Sequence, residues 1–107
     1  MTASGTAGHG DELGAYIDLG SLGAVVVKSL SADPWPGNPA PRVHETPAGM
    51  INSVGLQGPG VGFWLENELP AVLATGARVV ASIWGTTVED YERAAAMLAG
   101  APDGVIA

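Results

Sequence analysis

Apolar and polar positions change period several times along this chain, and each change marks an element. From Asp11 to Leu19 the apolar side chains Leu13, Tyr16 and Ile17 fall at helical spacing, which predicts a short helix entered through the glycine-rich turn Gly5 to Gly10. Gly23 to Lys28 then carries Ala24-Val25-Val26-Val27 without a polar break, the pattern of a parallel strand covered on both faces. Between Ser29 and Gly58 no period survives. Pro34, Pro36, Pro39, Pro41 and Pro47 punctuate this stretch, which reads as a long loop with room for one small hairpin.

Helical spacing returns near Pro59, where Val61, Trp64, Leu65, Leu69, Val72 and Leu73 share a face and Pro70 is expected to kink or divide the helix. Arg78 to Trp84 is a second doubly covered strand. Thr86 with Glu89 three residues on forms a capping-box pattern ahead of a third helix striped by Val88, Tyr91, Ala95 and Leu98. Pro102 and Asp103 turn the chain into a further strand from Gly104 to Ala107, and Met1 to Ser4 fits the end of a preceding one. Alternating strands and helices in this order predict an α/β class with parallel pairing and right-handed crossovers. A parallel sheet of this size leaves unpaired edges, whereas a closed (β/α)8 barrel takes about 250 residues. The expectation is a partial TIM barrel: residues 1–107 as the N-terminal part of one barrel domain, truncated on its C-terminal side, with roughly four strands and their helices.

Composition narrows the partners. The 107 residues are 47% hydrophobic and 14% charged, with a net charge of −7 and only four lysines and arginines, so no basic face exists to neutralise a run of phosphates. Nucleic acid is excluded on that ground. The apolar runs fall well short of the roughly 20 residues that span a bilayer, and Met1-Thr2-Ala3-Ser4 lacks the basic head and apolar core of a secretion signal. Cysteine is absent, so there is neither a disulfide framework nor a thiolate metal site, and no metal site is expected from His9 and His44. The chain is expected to be cytoplasmic.

Barrel chemistry sits where strands end and loops begin. That rule selects Ser4 and Gly5, Lys28 and Ser29 with the loop behind them, and Ser82 to Gly85. Lys28 is the lone lysine and ends a predicted strand, where its ammonium meets either solvent or an anionic ligand. Asn52-Ser53-Val54-Gly55-Leu56 offers a carboxamide followed by glycine-exposed N–H groups, which suits a flat amide-like ring bearing a carboxylate; a plain turn is the competing reading. Gly58, Gly60 and Gly62 fail as a dinucleotide fingerprint because residue 63 is Phe63. His9 and His44 read as loop residues, and Trp35, Trp64 and Trp84 as packing.

Taken in order, Ala3-Ser4-Gly5-Thr6, Val26-Val27-Lys28-Ser29, Gly37-Asn38-Pro39, Pro41-Arg42-Val43, Glu45-Thr46-Pro47, Asn52 to Gln57 and Pro59-Gly60-Val61 resemble the class 1 dihydroorotate dehydrogenase family, most closely its NAD-linked subtype, and the similarity continues through Thr87-Val88-Glu89. The resemblance implies a TIM barrel that holds FMN and oxidises dihydroorotate to orotate in pyrimidine biosynthesis. It places Ser4, Lys28, Ser29 and Ser82 against the flavin, with Ser82 standing where relatives commonly carry asparagine. It makes Lys28 the catalytic residue that also touches substrate, and Asn52, Ser53, Val54, Gly55 and Leu56 the orotate-binding stretch. It further implies a homo-oligomeric full-length enzyme, a separate electron-transfer subunit carrying FAD and an iron-sulfur cluster, and a cysteine general base beyond Ala107, so that these residues alone are not expected to turn over. Two alternatives are a dehydrogenase of another reduced pyrimidine and a non-catalytic α/β binding module.

Overall fold

A computed structural model describes all residues from Met1 to Ala107. Two parallel strands form its centre. β1 (Val25–Val26) pairs with β4 (Val79–Val80) in the register Val25 opposite Val79 and Val26 opposite Val80. Parallel pairing reaches further than these short strands: Leu30 bridges Ile83, and the Leu30 amide donates to the Ser82 carbonyl at 2.8 Å. Outside β4, Val79 bridges Val105 in parallel, with the Val79 amide donating to the Gly104 carbonyl at 2.8 Å. On the other side the Thr2 amide donates to the Ala24 carbonyl at 3.3 Å, and the Thr2 hydroxyl accepts from the Val26 amide at 2.8 Å. The chain is therefore α/β, with its extended segments side by side in chain order, as the alternating pattern predicts.

The long loop contains the hairpin for which the sequence left room. β2 (Val43–Thr46) and β3 (Gly49–Asn52) are antiparallel, with Val43 opposite Asn52, and seven of their eight residues are exposed (Thr46 is half-buried). Such a two-stranded ribbon has no hydrophobic face to hold it and depends on bonds from its flanks.

One core joins the strands to the second helical region. Val25, Val27, Leu30 and Val79 meet Val61, Trp64, Leu69 and Val72, all of them buried. The helical region has three parts: α1 (Val61–Phe63), a π-helical turn (Trp64–Glu68) and α2 (Leu69–Ala74). Pro70 explains the division. It has no amide to donate to the carbonyl four residues back, and a widened turn ahead of it absorbs the mismatch. The predicted apolar face holds through this change, with Leu65 and Leu73 packed at its margin.

Three expectations need correction. The helix expected over Asp11 to Leu19 is two short 3-10 turns, Glu12–Ala15 and Leu19–Ser21. Gly14 lies at its middle, and although Leu13 and Leu19 pack on the core, Tyr16 is 84% exposed and Ile17 is exposed as well, so a segment too short to be helical by propensity gains packing on only part of its apolar stripe. The capping box of α3 (Val88–Leu98) lies one residue later than the Thr86–Glu89 pattern. Thr87 is the cap: its hydroxyl accepts from the Asp90 amide at 3.2 Å, and the Asp90 carboxylate accepts from the Thr87 amide at 3.1 Å. The buried face of α3 is also rotated. Ala94 is buried and Leu98 packs on the core, whereas Val88, Tyr91 and Ala95 are exposed. No helix is long and apolar enough to cross a membrane.

Hydrogen bonds from the Thr86 hydroxyl first, then from the Thr86 and Thr87 amides, hold the Asp90 carboxyl below its ordinary range. A depressed carboxyl stabilises the fold above its unfolded-state value and loses that contribution as pH falls through the folded one. Thr87→Ala is expected to cost about 1 kcal/mol in denaturant titration at neutral pH. Glu89→Ala should leave the midpoint in place, and the reverse ranking would return the box to Thr86 and Glu89.

Candidate functional site

Strand register brings three hydroxyls to one end of the sheet. The Ser4 hydroxyl donates to the Val27 carbonyl at 3.1 Å and lies 3.4 Å from the Ser29 hydroxyl, which in turn lies 2.8 Å from that of Ser82. Ser4, Ser29 and Ser82, chosen separately from strand ends, thus form one hydroxyl row across three neighbouring segments. Beside them Gly5 has φ +80°, and a Cβ built there would meet nothing within 4 Å. Its backbone is open to the close approach of a planar ligand.

Lys28 points from the same strand end to the rim loop, and its Nζ donates to the Gln57 carbonyl at 2.8 Å. That bond places the end of the Asn52 stretch at the carboxyl end of β1. Lys28 and Gln57 line a cleft of about 580 Å³ together with His9, Trp35 and Gly58, a size that suits a small-molecule ligand. Asn52 and Ser53 occupy a different recess, of about 150 Å³, shared with Arg42 and His44. The structure therefore joins Lys28 to Gln57, the residue just past the predicted binding stretch; none of Asn52 to Leu56 lines this cleft, and Asn52 and Ser53 face the neighbouring recess.

The backbone of that stretch takes a conformation that most residues avoid. Gly55 has φ +78° and Leu56 φ +61°, consecutive left-handed residues. A Cβ at Gly55 would lie 2.8 Å from the Asn38 carboxamide, so only glycine fits. Leu56 holds its conformation at a cost of about 1–2 kcal/mol, which surrounding bonds must offset. They come from a part of the loop that sequence reasoning passed over. Asn38 donates from its carboxamide to the Ser53 carbonyl at 2.8 Å and from its amide to the Val54 carbonyl at 3.0 Å. The Trp35 indole donates to the Gly55 carbonyl at 2.9 Å. Arg42 donates to the carbonyls of Pro36 and Asn38 and to the Gln57 side chain. Asn52 itself accepts from the Val54 amide at 3.5 Å, a weak turn contact.

His9 is the other residue the sequence reading set aside. The loop after the Met1 to Ser4 stub carries its ring into the Lys28 cleft, and the strand-end rule applied to that stub would have included it. Burial first, and the Lys28 ammonium second, push its pKa below the ordinary histidine value, with Glu12 partly opposing them. Both effects favour the neutral ring. His44 stays on the exposed hairpin, and no group of three or more histidine, aspartate and glutamate side chains is placed to hold a metal.

Comparison with known proteins places these residues in a lineage. Residues 1–106 match the family described as dihydroorotate dehydrogenase. The chain belongs to that family. It is 53% identical over 91 residues to a protein of Alkaliphilus metalliredigens, covering 85% of this chain and 30% of that one. A protein of Thermoanaerobacter pseudethanolicus is 55% identical over the same shares, and one of Desulforudis audaxviator is 50% identical over 102 residues, 95% of this chain and 33% of its own. Each of these relatives bears the name dihydroorotate dehydrogenase B (NAD(+)), catalytic subunit. The chain spans about a third of the length of these dihydroorotate dehydrogenase relatives.

Titrating the His9 ring by proton NMR should give a midpoint below the usual histidine range, and Lys28→Met should raise it. Stability should fall as pH drops below that usual range, because the unfolded chain takes up a proton that the folded ring refuses. A midpoint indifferent to Lys28→Met would mean that the ammonium does not act on the ring.

Proposed function

We propose that this chain forms part of the active site of an FMN-dependent dihydroorotate dehydrogenase, which oxidises dihydroorotate to orotate in pyrimidine biosynthesis. The observation that carries this reading is the Lys28 to Gln57 bond, which seats the rim loop at the strand ends where Ser4, Ser29 and Ser82 are aligned. In this reading the parallel segments are successive strands of a (β/α)8 barrel, whose ligands gather at the carboxyl ends of its strands.

The donor set fits a flavin. Ser4, Ser29 and Ser82 offer hydroxyls to the polar edge of its ring, Lys28 adds a positive charge, and open Gly5 lets the ring approach the backbone. FMN, when bound, supplies the hydride acceptor. The protein residues bind and align. Lys28 neutralises charge on ring or substrate from a position fixed by Gln57, and its four-carbon stem lets it serve both. The left-handed pair Gly55 and Leu56 turns amide groups outward for the carboxylate of orotate, with Ser53 and Val54 holding the strand that leads into them. Asn52 pairs with the amide edge of the ring, exchanging its weak turn contact for two bonds to the ligand. Holding the ring in one pose against the acceptor removes much of the entropic barrier to hydride transfer.

The named relatives are catalytic subunits of an NAD-linked enzyme, and we extend that arrangement to this protein. A separate subunit bearing FAD and an iron-sulfur cluster then passes electrons to NAD, the catalytic subunit is homo-oligomeric, and the enzyme works in the cytoplasm.

In the full-length enzyme, Lys28→Ala should slow flavin reduction by dihydroorotate at least tenfold in stopped-flow bleaching. A wild-type rate would remove Lys28 from the chemistry. Asn52→Ala should raise the orotate dissociation constant by about 10- to 100-fold, the range for losing strong hydrogen bonds to a charged, amide-bearing ligand. An unchanged constant would show that Asn52 serves only the turn.

A further inference from the structure

The backbone around His9 is fixed on both sides of its side chain. The Lys28 amide donates to the Gly8 carbonyl at 2.9 Å, and the indole of the fully buried Trp64 donates to the His9 carbonyl at 2.7 Å. One bond ties the loop to β1, and the other ties it to the core. The imidazole consequently has little choice of place. It lies over Gly58, with Nε2 3.4 Å from where a Cβ at that residue would stand. Gly58 cannot yield either, because its amide and carbonyl exchange two hydrogen bonds with Trp35, at 3.0 and 2.9 Å.

A neutral imidazole held this firmly carries one N–H donor and one ring-nitrogen acceptor. Its Nε2 is enclosed by protein and makes no hydrogen bond. Leaving a polar atom enclosed and unpaired is unfavourable, and protein interiors avoid it. An apolar side chain would fill the space at no such cost. A half-turn of the ring exchanges Nε2 with Cε1 and Nδ1 with Cδ2, and the ring lines the cleft in which the Lys28 ammonium and Gln57 already stand. The cleft lining thus combines one charge, the Trp35 indole and an imidazole. Charge attracts any anion, but only the third element distinguishes a ring with N–H and C=O groups from a plain carboxylate.

We infer that His9 is a further recognition residue of this cleft, presenting its imidazole edge beside the Lys28 ammonium to the amide edge of a planar anionic heterocycle, and that Gly58 gives the ring its room. The inference rests on the dihydroorotate dehydrogenase reading and adds to it a residue that selects the ring.

Full-length protein loaded with FMN is titrated calorimetrically with orotate and, separately, with benzoate, a planar carboxylate without the amide edge. His9→Phe keeps the shape and removes both nitrogens. It should weaken orotate about tenfold and leave benzoate unchanged, while His9→Gln should recover most of the loss. Orotate binding of wild-type strength in His9→Phe overturns the inference, as does an equal loss for both ligands, which would mean that His9 only packs. Should His9→Phe fail to fold or to hold flavin, Gly58→Ala serves instead: its Cβ pushes the ring by a few tenths of an ångström and should weaken orotate selectively, and equal effects on both ligands again overturn the inference. Asn52→Ala in the same series separates the two levels. If it weakens orotate while the His9 and Gly58 variants do not, this inference alone falls. Wild-type protein that binds no orotate removes the dehydrogenase reading and this one with it.

Discussion

The pairing of Val25 with Val79 determines which side chains can meet at the working end of this protein. Side chains alternate along a strand, so a slip of one residue would exchange the fully buried Val25, Val27 and Val79 for neighbours such as Val26 and Val80, which are only half-buried. In the observed register all three valines lie in the core, where burying each side chain contributes about 1.5–3 kcal/mol. The same register carries Ser29 to within 2.8 Å of Ser82 and sends Lys28 the other way, toward the loop. Hydrophobic burial at the middle of the ladder thereby fixes polar geometry at its end.

Holding the rim loop is a separate problem, because no residue in 33–58 is buried. Entropy favours a disordered loop, and the hairpin has no apolar face to oppose it. Order comes instead from side chains that satisfy backbone groups: Asn38 on Ser53, Trp35 on Gly55, Arg42 on Pro36 and Asn38. These are individually modest bonds, about 0.5–1.5 kcal/mol net each. Together they keep two consecutive left-handed residues, one of them a leucine, in a conformation that the free chain would abandon. Such strain belongs where a ligand needs backbone amides aimed outward, and here it falls within the stretch that resembles the orotate-binding segment.

Much of this was legible in the sequence because it depends on local patterns that packing reinforces. The uninterrupted run Ala24 to Val27 and the stripe from Val61 to Val72 are buried as their spacing requires. Ser4, Ser29 and Ser82 were found by a rule about strand ends, and the structure aligns them, although a strand-end rule says nothing of the hydrogen bonds between them. What escaped depends on competition between near-equal options. Thr86 and Thr87 both precede an acidic residue by three positions, so spacing alone does not separate them, and in the structure Thr87 and Asp90 close the box. A shift of one position likewise separates the predicted stripe of α3 from the observed one, with Ala94 rather than Ala95 inside. The Leu13, Tyr16 and Ile17 spacing signals a helix, but spacing cannot report that of the three only Leu13 meets the core. His9 escaped because its position is set by Trp64 and Lys28, residues 55 and about 20 positions away along the chain.

An overall charge of −7 opposes the proposed binding of an anion in the cleft, and magnitudes resolve the conflict. At physiological ionic strength the Debye length is about 8 Å, so carboxylates elsewhere on the surface are largely screened from a ligand in the cleft. Lys28 acts at contact distance. A unit charge pair at 4 Å is worth about 4 kcal/mol near a protein surface, against about 1 kcal/mol in bulk water. Local geometry therefore outweighs net charge for binding, while net charge still slows the approach of anions and makes it faster as salt is added. Having one lysine rather than several also serves selection. A cleft rich in cations would hold any anion in any pose, whereas in the proposed site a single ammonium anchored on the Gln57 carbonyl would leave the remaining orientation to hydrogen bonds from the loop and from the His9 ring.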